Sequence, residues 1–140
     1  MRTLVASAVL LVLAGCQRTN VDNTGRACIG GANASWDTGE EISMEGGDEV
    51  PVVVVLSECD SGSVEYKNQS CVVEVVDGTV SVSTTARRVA PRTQTADCNF
   101  ITMDCGTVTV AEGDNTVEYG GNSTDFTVPY TGPAVCAEAR

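Results

Sequence analysis

Between Cys71 and Ser83 the chain reads CVVEVVDGTVSVS, and this stretch constrains the fold more than any other. Asp77-Gly78 suits a two-residue type I′ turn, because both central residues of that turn need positive φ. A turn there predicts Val75 opposite Val80 and Val73 opposite Val82. One face then carries Cys71, Val73, Val75, Val80 and Val82. The other carries Glu74, Thr79, Ser81 and Ser83, with Val72 and Val76 among them. A strand pair with one apolar face belongs on a core, and a slip of one residue would turn that face to water.

The rest of the chain speaks the same language. VPVVVVLSEC, Val50 to Cys59, is a continuous valine run, as expected of a strand buried on both faces. Pro51 fits its start, where no ladder donor is needed. Left on an edge the run would template aggregation, so it belongs in the middle of a sheet. EEISME, Glu40 to Glu45, alternates as a first edge strand. GTVTVAEGDNTVEYGG, Gly106 to Gly121, predicts a second hairpin about EGDN, with Val108, Val110, Val117 and Tyr119 on one face. TDFTVP, Thr124 to Pro129, predicts a last strand with Phe126 and Val128 inward. No segment carries a helical period, and abundant Val, Thr, Ser and Gly favour strands and turns. About seven short strands with turns at this spacing predict an all-β fold, an immunoglobulin-like antiparallel β-sandwich stapled by disulfides. Trp36, the only tryptophan, precedes the valine run and so lies outside the cysteine–tryptophan–cysteine pattern of antibody domains.

The N-terminus tells of an address. Met1-Arg2 is a minimal positive region, and Leu4 to Leu13, LVASAVLLVL, is a ten-residue apolar run. That is too short to cross a hydrocarbon layer of roughly 30 Å but right for a signal peptide. LAGC, Leu13 to Cys16, then resembles the lipobox of bacterial lipoproteins. The resemblance implies a diacylglycerol on the Cys16 thiol, cleavage just before it and, in most members, acylation of the new N-terminus. Two acyl chains suffice for stable anchoring, since each buried methylene contributes about 0.8 kcal/mol. Gln17 stands where enteric lipoproteins retained in the inner membrane often carry Asp, which implies the outer membrane. The expected organisation is a signal peptide over 1–15, a lipidated N-terminus and polar tether over 16–25, and the sandwich over 26–140. No cofactor is expected beyond the covalent lipid.

Removing Cys16 from the seven cysteines leaves Cys28, Cys59, Cys71, Cys98, Cys105 and Cys136. An even number in an oxidising compartment implies three bridges, with 15 connectivities open to them. Spacing does not choose among these. Cys59 and Cys71 flank the turn-rich DSGSVEYKNQS, Cys98 and Cys105 flank NFITMD, and Cys28 and Cys136 then tie the two ends. Those three pairings are the expected set. With no histidine and no C-x-x-C, a zinc site is not expected.

The same lack of histidine removes Ser-His-Asp and Cys-His machinery. Lys67, the only lysine, sits in a turn-rich segment without a serine–lysine signature. Asp60, Glu65, Glu112 and Asp114 are carboxylates near turns, but no spacing marks a glycosidase pair. Calcium is the better ligand hypothesis. EEISMEGGDE gathers Glu40, Glu41, Glu45, Asp48 and Glu49, and EGDN adds Glu112, Asp114 and Asn115. Hard cations want such oxygens, yet neither stretch follows the D-x-[DN]-x-[DN]-G loop, and solvated turns explain them more cheaply. ARRVAPR places Arg87, Arg88 and Arg92 within six positions of an acidic chain with 19 Asp plus Glu against 8 Lys plus Arg. Guanidinium forks suit a carboxylate or phosphate partner, or they neutralise the protein's own acids. The net charge of −11 disfavours nucleic acid as a partner. Taken as a whole, the chain is similar to small β-sandwich envelope lipoproteins of Gram-negative bacteria, a likeness that brings no activity with it. The expected function is a non-enzymatic, lipid-anchored binding or structural module whose partners are the membrane and an envelope protein or glycan. The alternative is a calcium-dependent adhesive or carbohydrate-binding module.

Overall fold

The computed structural model describes residues 15–31 and 39–140. The leader up to residue 14 and Trp36 lie outside the described residues. Eleven strands follow one another: β1 (Gln17–Asn20), β2 (Arg26–Ile29), β3 (Ile42–Met44), β4 (Glu49–Asp60), β5 (Glu65–Val76), β6 (Thr79–Ala90), β7 (Asn99–Thr109), β8 (Gly113–Tyr119), β9 (Asn122–Val128), β10 (Tyr130–Gly132) and β11 (Val135–Glu138). The β5–β6 hairpin forms in the register its turn dictates, Val75 against Val80 and Val73 against Val82. Asp77 and Gly78 both take positive φ, 48° and 79°.

Two sheets face each other, and the layout is that of an immunoglobulin-like sandwich. One sheet runs β11-β2-β4-β7, antiparallel throughout. The other holds β5, β6, β8 and β9, with β1 also on β6. Since β5 pairs along nearly the whole of β6, β8 and β1 share the opposite side of that strand. A short β3–β10 ladder completes the fold. The valine run is central as expected: β4 lies between β2 and β7, and Val52 to Leu56 are all buried. Its Val50, Val52, Val54 and Leu56 meet Val80, Val82, Val117, Tyr119, Phe126 and Val128 of the other sheet in one core. Thr84 is an uncharged polar residue on the inner face of β6. It is satisfied by the Tyr119 hydroxyl at 2.8 Å, which in turn donates to the Thr24 carbonyl at 2.7 Å.

Four expectations need correction. The eleven strands among the described residues are roughly consistent with the expected seven, but one sheet is not wholly antiparallel, because β6 and β8 run parallel. β7 and β8 are not a hairpin: β7 pairs β4, while β8 pairs β6 and β9. The chain changes sheets at 110–112, and Val108, Val110, Val117 and Tyr119 are buried in one core all the same. Alternation reports which residues face inward, not which sheet carries them. The hairpin in this region is β8–β9, turned by Gly120-Gly121 with φ of 55° and 84°.

The segment 16–25 is no slack tether. Gln17 to Asn20 pair with Ala90 to Arg87, and the pairing continues as Val21 and Asn23 donate to the Ala86 and Thr84 carbonyls. Its side chains are exposed, so it shows no apolar period; backbone bonds hold it instead.

The fourth correction concerns the bridges. Cys28 joins Cys136, its direct neighbour across the β2–β11 ladder. Cys59 joins Cys98 rather than Cys71, and Cys71 joins Cys105 rather than Cys98 joining Cys105. The reason is strand pairing: β4 ends against the start of β7, so Asp60 faces Asn99 and brings Cys98 beside Cys59. β5 belongs to the other sheet, and Cys71 reaches Cys105 across the gap with the Cα atoms 5.5 Å apart. Peptide mapping of unreduced protein should therefore recover Cys59–Cys98 and Cys71–Cys105. Replacing Cys71 and Cys105 together by Ala should cost about 3–4 kcal/mol in urea unfolding, since their bridge closes a loop of 34 residues. Recovery of Cys59–Cys71 would overturn this connectivity.

Candidate functional site

Cys16 is the one cysteine outside the three bridges, and it is exposed. It immediately precedes β1, so the ladder with β6 fixes its place at one end of the five-stranded sheet. There it lies in a shallow depression of about 290 Å³ with Arg18, Ser63, Glu65, Lys67, Val89 and Pro91. Strand alternation explains the company. Arg18 and Glu65 both stand opposite Val89, and Asn20 and Lys67 both stand opposite Arg87, all on the outer face. Lys67 pairs with Glu65 at 2.7 Å, and both side chains are more than half exposed.

Beneath this face the two sheets are tied by charge. Arg88 points inward from β6 and grips Asp60, the last residue of β4, through Nε and Nη2, each at 2.7 Å. The Tyr66 hydroxyl donates to the same carboxylate at 2.6 Å, and the Ser61 amide donates at 2.9 Å. The Arg88 guanidinium holds the Asp60 carboxyl well below the ordinary range, and Arg88 is itself held more firmly protonated. Burial, together with the bond to Asp60, pushes Tyr66 up to about 12.

A second polar knot joins the flanking loops. Ser61 Oγ lies 2.8 Å from the hydroxyls of both Ser63 and Thr95. Asp97 accepts from the Thr95 hydroxyl, from the Gly62 amide at 3.1 Å and from Asn99 Nδ2 at 2.7 Å. Those bonds, the one from Thr95 first, hold the Asp97 carboxyl at about 2. The chain has no histidine, so no imidazole serves these hydroxyls as a base.

The sequence-derived candidates scatter. Arg88 does not face a partner; it is spent on Asp60. Arg87 and Arg92 are exposed, Arg87 on the outer face and Arg92 in the loop after β6. Asp60 is pinned as a carboxylate and is unsuited to give up a proton. Of the calcium candidates, Asp48 accepts from the Glu45 amide at 2.8 Å across their own turn. Glu45 and Glu49 flank that turn, while Asp114 lies on β8 and accepts from Thr127 at 3.0 Å. Among the described residues no group of three acidic or cysteine side chains is placed to hold a metal ion. Arg18 and Tyr66 are the residues that sequence reasoning passed over at this end, and Lys67 was weighed there only as half of a serine–lysine pair. The signal that finds them is register, which needs β1 to be recognised as a strand. No family model matches the chain, and comparison with curated proteins and with solved structures found no similar protein.

The Asp60 tie makes a pH-dependent prediction. Asp60→Asn should destabilise the protein by about 2 kcal/mol near neutral pH by stripping Arg88 of its partner. Because the folded carboxyl is depressed, its contribution is present above the unfolded value of about 4 and is lost as the pH falls below it. The gap between wild type and variant should therefore narrow below pH ~4. On the alkaline side, the raised Tyr66 pKa means that stability is lost from about pH 10, the unfolded value, up to about 12, and Tyr66→Phe should flatten that limb. Urea unfolding across pH checks both, and a gap that does not change with pH would defeat the assignment.

Proposed function

We propose that this chain is a lipoprotein of the cell envelope, held on a membrane by a diacylglycerol on Cys16 and acting there as a non-enzymatic binding or structural module. The reading places it on the outer membrane, because Gln17 rather than Asp follows the lipidated cysteine. The observation that carries it is the standing of Cys16. Six cysteines are consumed in bridges, and the seventh is left exposed as the last residue of the lipobox-like LAGC. Three bridges also suit an oxidising compartment. The non-enzymatic half is supported by how the polar groups are used. The chain has no histidine, its one lysine is paired with Glu65, and Asp60 is committed to Arg88 and Tyr66.

Cys16→Ser should leave the precursor uncleaved or release the protein from membranes, whereas the wild type sediments with them and carries a diacylglycerol by mass spectrometry. Equal membrane fractionation of the two proteins would sink the lipoprotein reading. A hydrolase activity abolished by one carboxylate substitution would overturn the non-enzymatic half.

A further inference from the structure

The charges of this acidic protein are sorted along β6, and the cations gather where Cys16 is. Arg18 and Lys67 share its depression, Arg87 stands in register with Lys67, and Arg92 follows Pro91 by one residue. Among the described residues no carboxylate pairs with Arg18, Arg87 or Arg92. The acids at this end are largely engaged. Asp60 is held by Arg88, Glu58 by Arg26 and Glu65 by Lys67, while Asp97 and Asp22 accept only from neutral donors and keep their charge, so the three cations without a carboxylate partner outnumber these two acids.

The other end is the reverse. β4 starts and β7 finishes there, with the β5–β6 turn and the start of β8, and they gather Glu45, Asp48, Glu49, Asp77, Glu112 and Asp114 at one end with no cation among the described residues there. The 12 residues of β6 set the two ends about 35 Å apart. That exceeds a Debye length of roughly 8 Å at physiological salt, so each end meets its surroundings with its own sign.

We infer that the outer face at the β1 end is a phospholipid-headgroup surface, on which Arg18, Lys67, Arg87 and Arg92 take anionic phosphates around the lipid on Cys16. This rests on the lipoprotein reading above and deepens it. Three observations point the same way. β1 is bonded into the sheet, so the cysteine and the cations move as one body. The Lys67–Glu65 pair is solvent-exposed and weakly held, so Lys67 can exchange it for a phosphate. The acidic end is repelled by the same surface that attracts the basic one. The sandwich therefore stands on the membrane by its β1 end and presents its acidic end outward.

Lys67 is the only lysine and reports this directly. The mature lipidated protein is reconstituted in vesicles of phosphatidylcholine and in vesicles of equimolar phosphatidylcholine and phosphatidylglycerol. It is then acetylated with a membrane-impermeant amine reagent, and modification at Lys67 is followed by peptide mass spectrometry. Acetylation should be about fivefold slower in the anionic vesicles, the effect of one cation held at such a surface. The difference should vanish at high salt and in Arg18→Gln/Arg87→Gln, which still sediments with membranes. Equal rates in both vesicles, with the diacylglycerol present on Cys16, would overturn the headgroup surface and leave the anchor standing. Protection that depends on protein concentration in detergent would assign the face to self-association and overturn it as well. A protein without lipid on Cys16 would overturn the anchor and the headgroup surface together.

Discussion

Arg88 is the one charged side chain on the inner face of β6, and its grip on Asp60 determines how the sandwich closes at the Cys16 end. Burying a guanidinium and a carboxylate is costly unless both are fully bonded. Here the carboxylate takes two bonds from Arg88, one from Tyr66 and one from the Ser61 amide. The position of Asp60 is consequential because it ends β4. The loop that follows begins at a fixed point, and its Ser61, Gly62 and Ser63 then hold Thr95 and Asp97 of the β6–β7 connection. The Cys59–Cys98 bridge locks the same two segments covalently. One ion pair thus makes a stiff platform of what would otherwise be two polar loops.

Cys16 sits on that platform without slack. A nine-residue leash, at full reach about 30 Å, would let a domain tumble above a bilayer and erase any meaning in the placement of its charges. Ladder bonds from Gln17 to Asn20 and the further bonds of Val21 and Asn23 remove that freedom. The direction of β6 then becomes a direction relative to the attachment point, with cations near it and carboxylates at the far end. An acidic net charge, read alone, suggests a protein that avoids phosphates. Its distribution along one strand gives the opposite expectation for one end.

How far the sequence carried this reading can be judged element by element. The β5–β6 hairpin and the central β4 were legible because each carries its own instruction: a turn that demands positive φ at Asp77-Gly78, and a valine run that tolerates no wet face. The β7–β8 hairpin was misread because inward-facing valines look alike whether two strands share a sheet or face each other across it. β1 was missed for a related reason. A strand exposed on both faces has no apolar signature, and its existence is decided by the free side of β6. Cys28–Cys136 formed as expected, but the other two bridges were misread, since local closure of Cys59 with Cys71 ignores that the end of β4 lies against the start of β7. Of the site, Cys16 was legible from LAGC, and the arginine cluster was visible as composition. The division of labour between Arg87 and Arg88 was not, because one residue of register separates a solvated guanidinium from one that ties the sheets together.

The Cys71–Cys105 bridge solves a problem that the sheet order creates. β5 and β7 are edge strands of opposite sheets on the same flank, and β5 is 12 residues long with Val72, Val75 and Val76 exposed. Long apolar edges invite pairing with a second copy. A register shift between Lys67 and Ser70, with Asn68 at positive φ, spoils the first half of β5 as a template. The bridge then fastens Cys71 to β7, which leaves only residues 72–76 as a free edge. Antiparallel self-pairing that sets Val72 against Val76 must put Glu74 against Glu74, and like charges directly opposite are destabilising. Moving the register by two residues sets Glu74 against valine, which strips the carboxylate of water without giving it a partner. A single acid in the middle of five residues therefore opposes the registers that overlap the valines most fully, and the strand can stay apolar with less tendency to pair with its own kind.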